Sequence, residues 1–115
     1  MAFPLVFIDF AGPDDNALSR FYSTVFQWNV DDQGKFIVAA SDTIQCAIRK
    51  DPAEKRIYFG VTDVTAHLSL IEREGGTIDA PRFEVPGVVI LGLFRDPAGN
   101  PMGLVEMDGE KPRIP

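Results

Sequence analysis

A chain of 115 residues, 45% of them hydrophobic, is long enough to bury one real core and too short for two independent ones. Its formal charge of −6 and isoelectric point near 4.6, with no run of Lys or Arg, argue against binding to nucleic-acid phosphates or anionic lipid and leave room for a neutral or cationic partner. The single cysteine, Cys46, excludes an intrachain disulfide and a multi-cysteine metal site, suits a reducing cytoplasm, and reads as a small buried hydrophobe.

The apolar start of the chain meets Asp9 too early for a signal peptide or membrane span and has no basic lead, so the expectation is a soluble cytoplasmic protein. Leu5 to Phe10 is a short apolar run broken by Gly12 and Pro13, which predicts a strand. Asp14 or Asp15 then caps a helix, because a carboxylate there accepts from free backbone N–H groups and meets the positive dipole end. Leu18, Phe21, Tyr22, Val25 and Phe26 recur at helical spacing along one face. Strands follow at Trp28 to Val30, Lys35 to Ala39 and Thr43 to Arg49, with turns at Asp31 to Gly34 and at Ser41 and Asp42.

The polar stretch Lys50 to Lys55, holding Pro52, reads as a connector. Arg56 to Val61 repeats the first strand. Thr62 or Asp63 opens a second helix with Val64, His67, Leu68 and Ile71 on one face, and Gly75 or Gly76 gives its left-handed stop. Val88 to Arg95 and Met102 to Met107 are the last two strands, joined by Asp96-Pro97-Ala98-Gly99 in type I turn chemistry. The tail after Met107 is expected to be loosely held. The two halves are similar at a constant offset that pairs Asp14 with Asp63 and Phe21 with Leu70, so one architectural unit has been used twice. The expected organisation is a single domain, 1–115, with module one at about 5–50 and module two at about 55–107.

The order βαβββ twice, with Phe21-Tyr22, Phe26-Gln27-Trp28 and a late Asp96-Pro97-Ala98-Gly99-Asn100-Pro101-Met102-Gly103-Leu104, resembles the vicinal oxygen chelate superfamily of glyoxalases, bleomycin resistance proteins and extradiol dioxygenases. The likeness runs from about Leu5 to Glu106 and is nearest a glyoxalase-like branch of unassigned activity, in which an acidic residue, here Asp9, ends the first strand. The resemblance implies an α+β fold: paired βαβββ modules forming a curled, incompletely closed mixed sheet with helices on the outside, assembled as a homodimer. Gln27 stands where the family usually has Gly; if the backbone there is left-handed, the exchange costs about 1 kcal/mol.

Enzymes of this superfamily hold a divalent metal with one residue from the first strand and one from the last strand of each half. Those positions fall here on Phe7, Arg56, Gly103 and at or beside Gln45, of which only the Gln45 amide offers an oxygen. An independent count agrees, since iron, zinc or nickel sites need several converging imidazoles or carboxylates, and His67 is the one histidine, placed on a helix. Glu106 lies three residues past the ligand position, a change of strand parity. The expectation is therefore no metal and no other cofactor.

What the resemblance leaves for chemistry is the cleft-facing parity of the two first strands: Phe7 and Asp9 in one half, Arg56 and Tyr58 in the other. With Trp28 and Gln45 they make a candidate ligand site in which rings stack on the aromatics and a charge meets Asp9 or Arg56. The competing reading is that Asp9 and Arg56 pair with each other and the rings are core. Asp9 is the one candidate acid or base; Ser19, Ser23, Ser41 and Ser69 have no His in any recognised order, and Gly75-Gly76 follows its helix, so no phosphate cradle is built. Three functions remain: a metal-free protein binding a small aromatic or cationic molecule, a glyoxalase-like lyase/isomerase or dioxygenase-related enzyme, and a non-catalytic interaction module. No nucleic acid or membrane partner is expected.

Overall fold

The computed structural model describes residues 2–28, 36–39 and 44–115. The chain divides into two compact units, one of Phe7–Arg56 and one of Ile57–Pro115 together with Met1–Val6. The first residues belong to the second unit, where the Gly60 N–H donates to the Pro4 carbonyl at 2.9 Å.

In the unit of residues 7–56, strand β1 (Leu5–Gly12) leads into helix α1 (Asp15–Phe26), followed by β2 (Phe36–Ala39) and β3 (Gln45–Lys50). Asp14 caps α1 as its residue type requires, its carboxylate accepting from Ala17 N at 3.0 Å. Strand β3 lies between β1, to which it runs parallel with Phe7 opposite Gln45 and Gly12 opposite Lys50, and β2, antiparallel with Phe36 opposite Ile48. Cys46 and Ile48 are buried on β3, and their register partners on β1 are Ile8 and Phe10. The parallel register therefore gives Phe10 the parity of the apolar face, and Phe7 and Asp9 the other. The strand expected at Trp28 to Val30 and the turns at 31–34 and 41–42 fall largely or wholly outside the described residues.

The second unit carries the rest of β4 (Glu54–Val61), α2 (Val64–Arg73), β5 (Thr77–Val85), β6 (Val89–Arg95), β7 (Pro101–Asp108) and β8 (Lys111–Pro112). Its strands run in the order β4, β7, β6, β5, with β4 parallel to β7 and the other pairs antiparallel. Asp63 caps α2 as Asp14 caps α1, accepting from Ala66 N at 3.0 Å. Gly75, at φ +101, supplies the left-handed stop, and the Gly76 N–H returns to the Ile71 carbonyl at 2.8 Å. Val64 and Leu68 of α2 are buried against Val61, Phe94 and Leu104, each contributing about 1.5–3 kcal/mol by leaving water. Helices on mixed sheets give the α+β class that the sequence implies.

Two elements differ from expectation. Strand β5 has no clean alternation because Pro81 sits inside it, and its pairing with β6 shifts register between Ile78 and Ala80 and again between Ala80 and Phe83. A proline is tolerated in a strand where a ladder is broken in this way. The tail is not loose throughout: β8 pairs with the end of β7, and the Arg113 N–H donates to the Glu106 carbonyl at 2.9 Å.

Gln27 ends α1 at φ 60 and ψ 33, in the left-handed region. That backbone crowds any Cβ. Gln27→Gly is expected to raise stability by about 1 kcal/mol, read as a higher urea midpoint with unchanged slope; an unchanged or lower midpoint contradicts the strain.

Candidate functional site

In the unit of residues 7–56, α1 presents its apolar stripe, but none of its residues is fully buried. It is held by rings. Tyr22 stacks on Phe10 with centroids 5.4 Å apart and on Trp28 at 5.0 Å, and Phe26 stacks on Tyr22 at 6.0 Å. Phe21, Val25 and Phe26 remain more than half exposed. A helix propped on rings rather than seated on aliphatic side chains leaves space beside its strand. That space is a cavity of about 290 Å³ lined by Phe10, Ala11, Leu18, Tyr22, Ala53, Glu54 and Lys55. A ligand pocket of this kind has mostly apolar walls and a few polar groups at one side.

A second cavity, of about 200 Å³, is lined by Arg49, Asp51, Pro52, Ala53 and Glu54. Ala53 and Glu54 belong to both walls. Arg49 organises this region: its Nε lies 3.3 Å from buried Asp9 Oδ2, its Nη1 donates to Asp51 Oδ2 at 2.6 Å, and its Nη2 donates to Glu54 Oε2. Arg56 Nη2 donates to the other Glu54 oxygen at 3.1 Å. Burial works against the charge on Arg49, but hydrogen bonds to Asp51 and Glu54 and the charge of Asp9 more than offset it and hold the guanidinium firmly protonated. Burial likewise pushes Glu54 up, and bonds from Arg49 and Arg56 outweigh it, leaving the carboxyl below its ordinary range.

Of the residues expected to form a site, Phe7, Asp9, Trp28, Gln45 and Arg56 lie in this unit, and none of them lines either cavity. Phe7 and Gln45 are register partners, Asp9 and Arg56 are buried in the charge cluster, and Trp28 backs the larger cavity through Tyr22. Of the strand residues in the larger wall, Phe10 has the opposite parity to Phe7 and Asp9, whereas Ala11 shares theirs and Glu54 shares that of Arg56 and Tyr58. The signal that finds Phe10 is the placement of Leu18 and Tyr22 on the apolar face of α1, since Phe10 stacks on Tyr22 of that helix.

Tyr58 belongs to the second unit, where it is buried and lies opposite Gly103 on β7. A Cβ at position 103 would sit 2.4 Å from two carbons of the Tyr58 ring. The ring thus fills the space a ligating side chain at 103 would need. In the other unit the paired positions carry the Phe7 benzyl group and the Gln45 amide. Among the described residues no three His, Cys, Asp or Glu side chains are grouped so as to hold a metal ion. This donor set does not fit a divalent cation, which requires several converging anionic or imidazole ligands.

Glu106 is buried and serves structure in the same unit. Arg82 grips it in a fork, Nε to Oε1 at 3.1 Å and Nη2 to Oε2 at 2.9 Å. The Val64 N–H at the start of α2 donates to Oε1 at 3.3 Å, and Arg113 from the tail approaches Oε2 at 3.6 Å. The Arg82 fork is the main cause that holds this carboxyl below its ordinary value; burial opposes it. His67 remains on its helix, edge-on to Phe3 at 4.6 Å. Burial pushes the Cys46 thiol up, as expected of a packed, unreactive cysteine.

No protein-family model matches the chain, and no curated protein does. Solved structures do. The chain is similar to a Streptomyces coelicolor methylmalonyl-CoA epimerase variant in complex with 2-nitronate-propionyl-CoA, at 16% identity and TM-score 0.64 over 91% of this chain and 97% of that one. It is similar to a methylmalonyl-CoA epimerase in complex with methylmalonyl-CoA and NH4+, at 15% identity and TM-score 0.65 over 98% and 100%. A hypothetical protein from Bacillus halodurans aligns at 11% identity and TM-score 0.68 over 94% and 96%. The fold is that of the vicinal oxygen chelate superfamily.

Because Glu106 titrates lower folded than at its ordinary 4.5, its contribution is full above that value and is lost as pH falls through the folded pKa. Glu106→Gln should cost about 1–2 kcal/mol at neutral pH, because Arg82 and Arg113 stay partly in water, with the gap from the parent shrinking below pH 4.5. Denaturation midpoints across that range check this; a gap independent of pH contradicts it.

Proposed function

We propose that this protein binds a small aromatic molecule in the Phe10–Tyr22 cavity and does so without a metal ion. The observation that carries the reading is the cavity itself: two stacked rings, Leu18 and Ala11 form an apolar wall, and Glu54 and Lys55 supply polar groups at one side. At about 290 Å³ it suits a compact ligand at the lower end of small-molecule sites. A flat ring inserted there extends the existing stack, a contact worth about 0.5–1.5 kcal/mol beyond the area it buries. Binding needs only this affinity, so the poor donor set at Phe7, Gln45, Arg56 and Gly103 is no obstacle. We place the protein in the cytoplasm as a homodimer; the single buried Cys46 and the exposed Phe21, Val25 and Phe26 of α1 support this.

The epimerases among the similar structures favour a second reading, a lyase or isomerase with Asp9 as its acid or base. Its mark is ligand-dependent exchange of a carbon-bound proton with deuterated solvent, lost in Asp9→Asn.

Trp28, the one tryptophan, stacks on Tyr22 and reports on the cavity. Titration with phenylpropanol is expected to change its fluorescence saturably, equally well before and after exhaustive EDTA treatment. Ala53→Phe, at an exposed connector position, fills the cavity without touching the core and should abolish the change. Binding lost on chelation, or retained in Ala53→Phe, contradicts the proposal.

A further inference from the structure

We infer that the Asp108–Gly109 step is a site of spontaneous isoaspartate formation, and that the change unlatches the C-terminal tail from β7. It is the only Asp–Gly step in the sequence, which has no Asn–Gly. It lies in the turn between β7 and β8, where Asp108 is opposite Lys111 and Met107 opposite Pro112, so Gly109 and Glu110 alone make the loop.

Exposure, backbone geometry and the absence of competing bonds make this turn reactive. Asp108, Gly109 and Glu110 are all exposed. Gly109 sits at φ +67, a conformation that disfavours any residue with a Cβ, and a Cβ built there would meet nothing within 4 Å. The approach to its nitrogen is open. Among the described residues, no ion pair or hydrogen bond holds the Asp108 carboxyl group or the Gly109 N–H. Asp51 and Asp96 differ, because each precedes a proline, whose nitrogen has no proton to lose.

In the reaction the Gly109 nitrogen bonds to Asp108 Cγ and gives up its proton, which leaves with the side-chain hydroxyl as water. Water then adds back to one of the two carbonyls of the resulting five-membered imide. Addition at the main-chain carbonyl breaks its bond to the Gly109 nitrogen. The chain now runs through Cγ, and the former main-chain carbonyl becomes a pendent carboxylate. One water leaves and one returns, so the change is an isomerisation that needs no oxidant or reductant.

The new linkage adds one carbon to the main chain of a hairpin with only two paired positions. Their register is lost, and with it the tail's hold on β7: the Arg113 N–H that donates to the Glu106 carbonyl at 2.9 Å and the Arg113 Nε that lies 3.6 Å from Glu106 Oε2. Arg82 keeps its fork on Glu106, so the body of the unit stays folded. The exposed isoaspartyl carboxylate is a substrate for a carboxyl methyltransferase that uses S-adenosylmethionine, and this is the class of enzyme the turn would engage.

Prolonged incubation of the purified protein at mildly acidic pH tests the inference. Isoaspartate is counted by enzymatic methyl transfer and located by resistance of the Met107–Asp108 bond to an endoprotease that cuts before aspartate. It should accumulate in the folded parent and be abolished in Asp108→Glu, because the six-membered imide that glutamate requires closes far more slowly. In the converted fraction, the Arg113 amide should lose its protection from hydrogen exchange while the His67 amide, bonded to the Asp63 carbonyl, keeps it. Isoaspartate absent from the folded parent while the urea-unfolded chain forms it, or equally abundant in Asp108→Glu, would overturn the site. Unchanged protection of Arg113 after conversion would overturn the unlatching.

Discussion

The unit of residues 7–56 depends on the stack of Tyr22 on Phe10. Helix α1 has an apolar stripe as good as that of α2, yet α2 buries Val64 and Leu68 fully while α1 buries nothing completely. The difference lies in side-chain shape. Valine and leucine let a helix settle onto a strand, whereas tyrosine and phenylalanine meeting face to face keep a ring's thickness between the elements. The space left over is bounded by those same rings, so the feature that positions the helix also creates the candidate ligand wall.

The same exchange of chemistry explains why a scaffold shared with methylmalonyl-CoA epimerases carries so poor a set of metal donors. At Gly103, where the resemblance implies a carboxylate, the backbone is bare, and the ring of Tyr58 occupies the space a side chain would need. Restoring a side chain at 103 therefore requires moving a buried aromatic. The acids that are present have been recruited to hold segments together: Glu106 ties α2, β5 and the tail to β7, and Glu54 ties Arg49 to Arg56. A carboxylate so engaged is poorly placed to serve as a free ligand or base.

Much of the fold was legible because it rests on local rules. Asp14 and Asp63 cap their helices, Gly75 stops the second, and the Asp96 to Gly99 turn closes with Gly99 N donating to Asp96 O at 2.9 Å. Strand β5 was not legible, since Pro81 and two register shifts remove the alternation that marks a strand. Nor was β8, whose two residues are held by a partner strand rather than by any pattern of their own. For the candidate site, Phe7 and Phe10 differ in parity, and which of them meets a helix is settled by packing between elements distant in sequence, which no local pattern carries.

Where the ligand sits relative to that parity is the central question, and intermolecular nuclear Overhauser effects answer it directly. With phenylpropanol bound, this account predicts contacts from the ligand ring to the Leu18 methyl groups and the Tyr22 ring protons. Contacts to the Phe7 ring, with none to Leu18 or Tyr22, would contradict it and put the site on the opposite face of β1.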